Sequence, residues 1–237
     1  MDYYVRQESF FYYLFGVNET GCQACIDIDK EEVILFVPAP VLAYKIFMVV
    51  YDKADYEKMY EVRVEYTKDM EAFLEKLAPK KIYVNCGVNS DSGLTTLYPQ
   101  DSWLSKYSID KEIMNQILCQ SRAIKSQQEI EILKIAGKVA VECHLEAMKH
   151  CKPGVLESYL LSKFESYARE NYNTFLMPYQ GIMASGTRSA TLHYRLNDKV
   201  IGENELILCD CGQAIQGYVS DITTTFPSTG KFTPEQK

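Results

Sequence analysis

Residues 205–226, ELILCDCGQAIQGYVSDITTTF, carry the most informative pattern in this sequence. The apolar run at residues 206–208 predicts a strand that has Asp210 near its end. Asp221 begins a β-branched run that predicts a second strand. If the two strands pair in antiparallel fashion, Asp210 and Asp221 come close together although they are distant along the chain.

Two neighbouring carboxylates repel each other unless a positive group lies between them. The sequence has no lysine or arginine between residues 199 and 231. A divalent metal ion would remove the repulsion directly, so Asp210 and Asp221 are candidate metal ligands. The alternative is that both aspartates occupy exposed turn or cap positions, where aspartate is common.

The sequence before this segment predicts two helices. Ser126 and Glu129 have the spacing of a capping box, which predicts a helix that Pro153 and Gly154 terminate. The apolar face expected for this helix consists of Ile130, Leu133, Ala140, Ala147 and Met148. A second helix is expected from about Leu156, with a core stripe of Leu160, Phe164, Tyr167 and Ala168. After Tyr172 the pattern changes to short strands separated by glycines.

The first part of the chain predicts a small α/β domain over roughly residues 1–110. We expect a buried strand at residues 9–17, a hairpin at 22–37, an amphipathic helix at 67–77 and a strand at 81–86. Residues 119–126 have the composition of a connector. The sequence therefore predicts two domains, residues 1–119 and residues 120–237.

Composition excludes several classes of protein. The chain has 237 residues and a net charge of −7, and no basic stretch or face is visible, which argues against nucleic-acid binding. The apolar stretch at residues 41–51 is interrupted by Lys45 and is too short to span a bilayer. The N-terminus does not have the pattern of a secretory signal, and the eight cysteines are irregularly spaced. These features predict a cytoplasmic protein with reduced thiols.

The residues around the two aspartates resemble the metal-binding core of the pita-bread metallopeptidases, and the whole chain is most similar to the prolidase (Xaa-Pro dipeptidase) group of that family. The resemblance rests on Asp210-x-Gly212, Ser220-Asp221-Ile222-Thr223, Thr225-Phe226-Pro227 and Gly230-Lys231-Phe232. Upstream it rests on Arg6-Gln7-Glu8-Ser9-Phe10-Phe11, Phe15-Gly16-Val17, Gly186, Ser189 and Leu192-His193-Tyr194.

The resemblance implies an α/β N-terminal domain of the creatinase and aminopeptidase P type, followed by an α+β pita-bread domain. It implies two divalent metal ions, commonly manganese, with Asp210 and Asp221 among their ligands. It also implies that His193 lines the substrate site and that the substrate is an Xaa-Pro dipeptide cleaved by a homodimer. Tyr179, which follows Pro178 on the approach to the glycine-rich loop, is a candidate for the border of the substrate pocket. His144 and His150 match no site of the family and are interpreted as ordinary helix residues.

The sequence also departs from the family pattern. In the family, a histidine and two glutamates complete the metal site downstream of the second aspartate, whereas the residues after Asp221 include no histidine and the single acid Glu235. We therefore expect an incomplete pita-bread domain, a chain truncated at both ends, and no peptidase activity from this chain alone. Two alternatives stay open: a binding module that has lost catalysis, and a creatinase-type hydrolase. The paired aspartates argue against the first, and the RQESFF and LHY segments argue against the second.

Overall fold

The computed structural model describes residues 6–96 and 98–237, which form two compact units. The first unit ends at Ile124 and the second begins at Lys125. Residue 119, the predicted boundary, lies inside a helix of the first unit, Ile113–Ala123. Among the described residues, no helix is long and apolar enough to cross a membrane.

The first unit is built on a three-stranded sheet. Its elements are α1 (Ser9–Phe15), β1 (Gln23–Asp27), β2 (Glu32–Val37), α2 (Lys53–Tyr60), β3 (Arg63–Tyr66), α3 (Met70–Leu77), β4 (Ile82–Tyr83), β5 (Ile109–Asp110) and α4 (Ile113–Ala123). Strand β2 is central; it pairs antiparallel with β1 and parallel with β3. Its side chains alternate between two apolar clusters: Leu35 and Val37 face one of them, and Ile34 and Phe36 face the other. The predicted hairpin and the predicted helix α3 are confirmed.

The prediction of a buried strand at residues 9–17 is wrong, because this segment forms helix α1. The Glu8 side chain accepts a hydrogen bond from the Phe11 amide at 2.8 Å, which caps the start of the helix. Gly16 ends the helix in the left-handed conformation with φ +66°. An unbroken apolar run does not distinguish a strand from a helix, and here the caps decide between them. The strand predicted at 81–86 is reduced to Ile82–Tyr83.

The second unit packs two helices against one face of an antiparallel sheet. Its elements are α5 (Gln127–His150), α6 (Glu157–Tyr172), β6 (Ile182–Ser185), β7 (Leu206–Cys211), β8 (Ala214–Ile215), β9 (Tyr218–Val219) and β10 (Ile222–Pro227). The sheet order is β10-β7-β6, and β8 and β9 form a small hairpin between β7 and β10. This arrangement makes β7 the central strand of the sheet.

Strand β7 has one buried face and one more open face. Ile207, Cys209 and Cys211 are fully buried against the two helices. The helices contribute Val139, Cys143, Ala147, Leu160, Phe164 and Ala168 to this core. Leu208 and Asp210 alternate with the buried residues and therefore lie on the opposite face. This open face carries the candidate site.

Helix α5 presents part of the predicted face to the core, including Met148, and its core side extends to residues that were not predicted. Ala140 and Ala147 are buried as expected, but Ile130 is 36% exposed. The core side of the helix also includes Ala136, Val139, Cys143 and His144. These are mostly small residues, which let α5 approach α6 and the sheet closely. The predicted stripe of α6 is confirmed at Leu160, Phe164 and Ala168, which are all buried.

The predicted capping box at the start of α5 is confirmed. The Ser126 hydroxyl accepts from the Glu129 amide at 3.3 Å, and the Glu129 carboxylate accepts from the Ser126 amide at 2.6 Å. We expect Ser126→Ala to lower the free energy of unfolding by about 1 kcal/mol, measured by urea denaturation, because one helix amide loses its partner. Gln127→Ala, one residue later and exposed, is the matched control and should stay within about 0.5 kcal/mol. Equal effects of the two substitutions would contradict a capping role.

Candidate metal centre

Strands β7 and β10 place Asp210 and Asp221 on the same face of the sheet. Asp210 pairs with Thr223, so their side chains share a face. Asp221 lies two residues before Thr223 and immediately before β10, so the alternation of an extended chain returns its side chain to that face. Asp210 is half-buried, whereas Asp221 is exposed.

A single tyrosine hydroxyl contacts both carboxylates. The Tyr179 hydroxyl lies 2.7 Å from Oδ1 of Asp210 and 2.8 Å from Oδ1 of Asp221. The separation of the two Oδ1 atoms therefore cannot exceed the sum of these two distances. Burial and the two carboxylates raise the pKa of Tyr179 well above its ordinary value, so the phenol stays protonated. Its single proton can serve only one carboxylate at a time.

The turn from β7 into the β8–β9 hairpin requires glycine at position 212. A Cβ atom on Gly212 would lie 1.9 Å from the backbone oxygen of Ser220, a distance that no side chain can occupy. Gln213 and Ser220 hydrogen-bond across the same crossing, with the Ser220 amide donating to the Gln213 carbonyl at 2.9 Å. The crossing lies one residue before Asp221 and two residues after Asp210, so it sets the separation of the two aspartates.

His144 of α5 supports both aspartate strands from the buried side, a role that sequence reasoning missed. Its Nε2 lies 3.2 Å from the Cys211 carbonyl, and its Nδ1 lies 3.0 Å from the Thr224 hydroxyl. Because a carbonyl only accepts, Nε2 carries the proton and the Thr224 hydroxyl donates to Nδ1. The spacing of His144 from Ala140 and Ala147 places it on the buried face of α5, and this was the signal available in the sequence. His150 instead contacts Glu146 and Tyr159 near the surface.

Because His144 is buried, its protonation should make the free energy of unfolding depend on pH. Burial lowers the pKa of His144 in the folded chain, so the unfolded chain binds its proton first as the pH falls below about 6.5. The free energy of unfolding should therefore fall with decreasing pH by up to about 1.4 kcal/mol per unit in this window. His144→Gln should lose this pH dependence. Urea denaturation between about pH 5 and pH 7, a range that brackets the ordinary histidine pKa of about 6.5, measures it. His150→Gln, on the same helix, should keep it; loss in both variants would contradict the assignment.

His193 lies in an exposed turn and takes no part in the Asp210–Tyr179–Asp221 hydrogen bonds. The next residue, Tyr194, is only 6% exposed and packs against Ile182 and Ala184 of β6. Ile182 pairs directly with Asp210, so the two share a face of the sheet. The turn that carries His193 is therefore anchored on the face that carries the aspartates.

The carboxylates of Asp210 and Asp221 are suited to be two of the ligands of a divalent metal ion. None of the ion pairs found in the described part of the chain includes Asp210 or Asp221. Carboxylate oxygens are the donors that hard divalent cations prefer. However, residues 6–96 and 98–237 contain no cluster of three or more histidine, cysteine, aspartate or glutamate side chains that could hold an ion. The pair can therefore supply part of a coordination sphere and needs further ligands.

Comparison with known protein families assigns both units. Residues 1–83 match the aminopeptidase P N-terminal domain, and residues 131–237 match metallopeptidase family M24. The second unit therefore carries a metallopeptidase family M24 domain, and an aminopeptidase P N-terminal domain precedes it in the sequence. The resemblance noted in the sequence is confirmed.

Individual relatives agree with this assignment. The chain is 35% identical to Xaa-Pro dipeptidase from Pongo abelii and 34% identical to Xaa-Pro dipeptidase from Homo sapiens, in each case over 98% of this chain and 48% of the relative. It is 40% identical to Xaa-Pro aminopeptidase 3 from Homo sapiens over 52% of this chain and 24% of that protein. The chain thus spans about half the length of the dipeptidases it matches.

Solved structures confirm the predicted fold. The structure of aminopeptidase PepP from Pseudomonas aeruginosa superposes with a TM-score of 0.84 at 27% identity, covering 98% of this chain and 55% of that one. Proline aminopeptidase P II from Yersinia pestis shares the fold with a TM-score of 0.79 at 24% identity, covering 98% of this chain and 56% of that one. The combination of an aminopeptidase P-type α/β domain with a pita-bread domain, of which the chain covers a part, is therefore correct.

Proposed function

We propose that this chain supplies the N-terminal domain and the two-aspartate part of the metal centre of a dipeptidase that cleaves Xaa-Pro dipeptides. The observation that carries the proposal is the Asp210–Tyr179–Asp221 group, in which two carboxylates meet at one neutral phenol and neither forms an ion pair within the described part of the chain. Similarity to Xaa-Pro dipeptidases along 98% of the chain supports the choice of substrate.

In this proposal Asp210 and Asp221 hold two divalent metal ions, with manganese as the metal, together with further ligands. Bound divalent ions in such a pair lower the pKa of water and polarise a carbonyl oxygen. Tyr179 donates its proton to one of the carboxylates and keeps the pair together when the metal is absent. His193, in its exposed turn, contacts the substrate near the scissile bond. We also propose that the whole enzyme is a homodimer of the cytoplasm.

The proposal is tested by hydrolysis of glycyl-proline with added manganese. We expect no measurable hydrolysis by this chain alone, because two carboxylates cannot fix two divalent ions. A version extended by the remainder of the metallopeptidase domain should hydrolyse the dipeptide. A longer peptide with proline in second position, assayed in parallel, separates dipeptidase from aminopeptidase activity.

The substrate role of His193 is tested with His193→Ala in the same extended version. We expect it to lower turnover while manganese content, measured by atomic absorption, stays the same. Hydrolysis by the short chain that disappears in Asp221→Asn would contradict the need for the downstream segment, and the further ligands would then have to come from another subunit or from an unrecognised residue. An extended protein that neither hydrolyses the dipeptide nor binds manganese would instead favour the alternative of a binding module that has lost the metal.

A further inference from the structure

The carboxylate of Glu157 is fully buried at the start of α6 and is saturated with hydrogen bonds. All of its described donors come from the segment 185–199. Oε1 accepts from the Ser185 amide at 2.8 Å, the Ser185 hydroxyl at 2.8 Å and Nε of Arg188 at 3.0 Å, and Oε2 accepts from the Tyr194 hydroxyl at 2.7 Å and the Lys199 amide at 3.2 Å. One side chain therefore organises the whole segment.

The two oxygens of Glu157 hold different halves of this segment. Oε1 binds its beginning, at Ser185 and Arg188, whereas Oε2 binds its middle and end, at Tyr194 and Lys199. His193 lies between the two sets of bonds and directly precedes Tyr194. The position of the His193 backbone is therefore set from both sides by one carboxylate.

The Tyr194 ring fixes this arrangement to the face of the sheet that carries the aspartates. The ring packs against Ile182 and Ala184 of β6, and Ile182 pairs with Asp210. A second anchor is Asn197, whose side chain accepts from the Met183 amide at 2.8 Å and donates to the Gly181 carbonyl at 2.9 Å. The segment thus lies along the edge of β6.

The charge of Glu157 is retained although the group is buried. Burial raises the pKa of this carboxyl, but hydrogen bonds from Tyr194, Ser185 and Arg188 outweigh that effect and lower the pKa below its ordinary value. Arg188 supplies the opposite charge at 3.0 Å. The carboxylate can therefore act as an acceptor for all of its donors at neutral pH.

We propose that Glu157 is a positioning residue that holds His193 in place by fixing both halves of the segment 185–199. This inference rests on the proposed role of His193 in substrate binding. Glu157 itself does not touch the substrate in this scheme, since its side chain is wholly buried. It acts through Tyr194.

The chain offers a direct test because it has three histidines, His144, His150 and His193, whose ring signals can be followed by NMR. In Glu157→Gln the side chain keeps one acceptor oxygen and gains an amide that faces a donor, so one half of the segment loses its anchor. We expect the His193 signal to shift and the amides of residues 186–199 to exchange about tenfold faster. The His144 signal and the exchange of α5 amides should stay unchanged.

A second variant removes only one of the bonds to Glu157, together with a longer contact of the same hydroxyl to Asp198 at 3.4 Å. Tyr194→Phe keeps the packed ring and deletes the hydroxyl that Oε2 binds, so it should shift the His193 signal in the same way. Its matched control is Tyr159→Phe on α6, the helix that carries Glu157; the Tyr159 hydroxyl lies 3.3 Å from Nδ1 of His150. The control should shift the His150 signal and leave the His193 signal unchanged.

Two outcomes would overturn the proposal. The first is that Tyr194→Phe changes neither the His193 signal nor the amide exchange of residues 186–199. The second is that the amides of α5 lose as much protection from exchange as those of residues 186–199. If Glu157→Gln does not fold, Tyr194→Phe decides the matter by itself. The readout is separate from the proposed activity. If His193→Ala left dipeptide hydrolysis unchanged, the substrate role of His193 would fail, while the NMR experiment would still show whether Glu157 fixes its position.

Discussion

Asparagine in place of Asp221 is expected to lower glycyl-proline hydrolysis by the extended protein at least about 100-fold. Even partners that only orient metal ligands give losses of about 10–100-fold, and Asp221 is proposed as a ligand. The substitution removes one negative charge from the pair that meets at Tyr179. It should also weaken manganese binding, which the electron paramagnetic resonance signal of free Mn²⁺ measures independently of turnover. Asp210→Asn should have an effect of the same order.

The matched control is Glu203→Gln, which removes one negative charge at an exposed position of the same unit. It should leave both hydrolysis and manganese affinity unchanged. If the control and Asp221→Asn weakened manganese binding equally, the effect would be one of overall charge, and the site assignment would be wrong.

Alanine at Gly212 is expected to destabilise the second unit by about 3 kcal/mol, at the upper end of the usual cost of overpacking. The new Cβ would lie 1.9 Å from the Ser220 oxygen, and this neighbour is a backbone atom that cannot rotate away. The strands must therefore separate, which moves Asp221 relative to Asp210. Urea denaturation followed by circular dichroism measures the loss of stability.

Gly137 provides the opposite case within the same unit. It lies inside α5, and a Cβ placed there would meet nothing within 4 Å. Gly137→Ala should stabilise the unit by about 1 kcal/mol, because glycine is a poor helix former. If both substitutions changed the free energy of unfolding in the same direction, the close approach at Gly212 would not be the cause.

The parts of the fold that could be predicted from the sequence are those with a local pattern. Ser126 and Glu129 fix the start of α5, and the apolar spacing of Leu160, Phe164 and Ala168 fixes the buried face of α6. The apolar run at residues 9–17 has no such period, and its helical caps do not follow from the apolar pattern.

The candidate site could be predicted only in part, because only residues that belong to a local pattern can be recognised in the sequence. Asp210 and Asp221 stand at the ends of recognisable strands. Tyr179, by contrast, lies 31 and 42 positions from its two partners, and no local pattern reports that contact. Glu157 has the sequence signature of an ordinary acidic residue in the first turn of a helix. Its burial depends on donors 28 to 42 positions away, which only the folded chain brings together.

The Asn197 side chain covers backbone groups at one edge of the sheet in the second unit. Strand β6 lies at one end of its sheet order, and such a strand offers unpaired backbone groups to other chains. The side-chain amide of Asn197 occupies the Met183 amide and the Gly181 carbonyl much as a neighbouring strand would. The segment that carries His193 therefore also shields the β6 edge. Substitutions that loosen this segment would make the edge available for intermolecular β-pairing, so the proposed substrate contact of His193 and the resistance to aggregation would depend on the same segment.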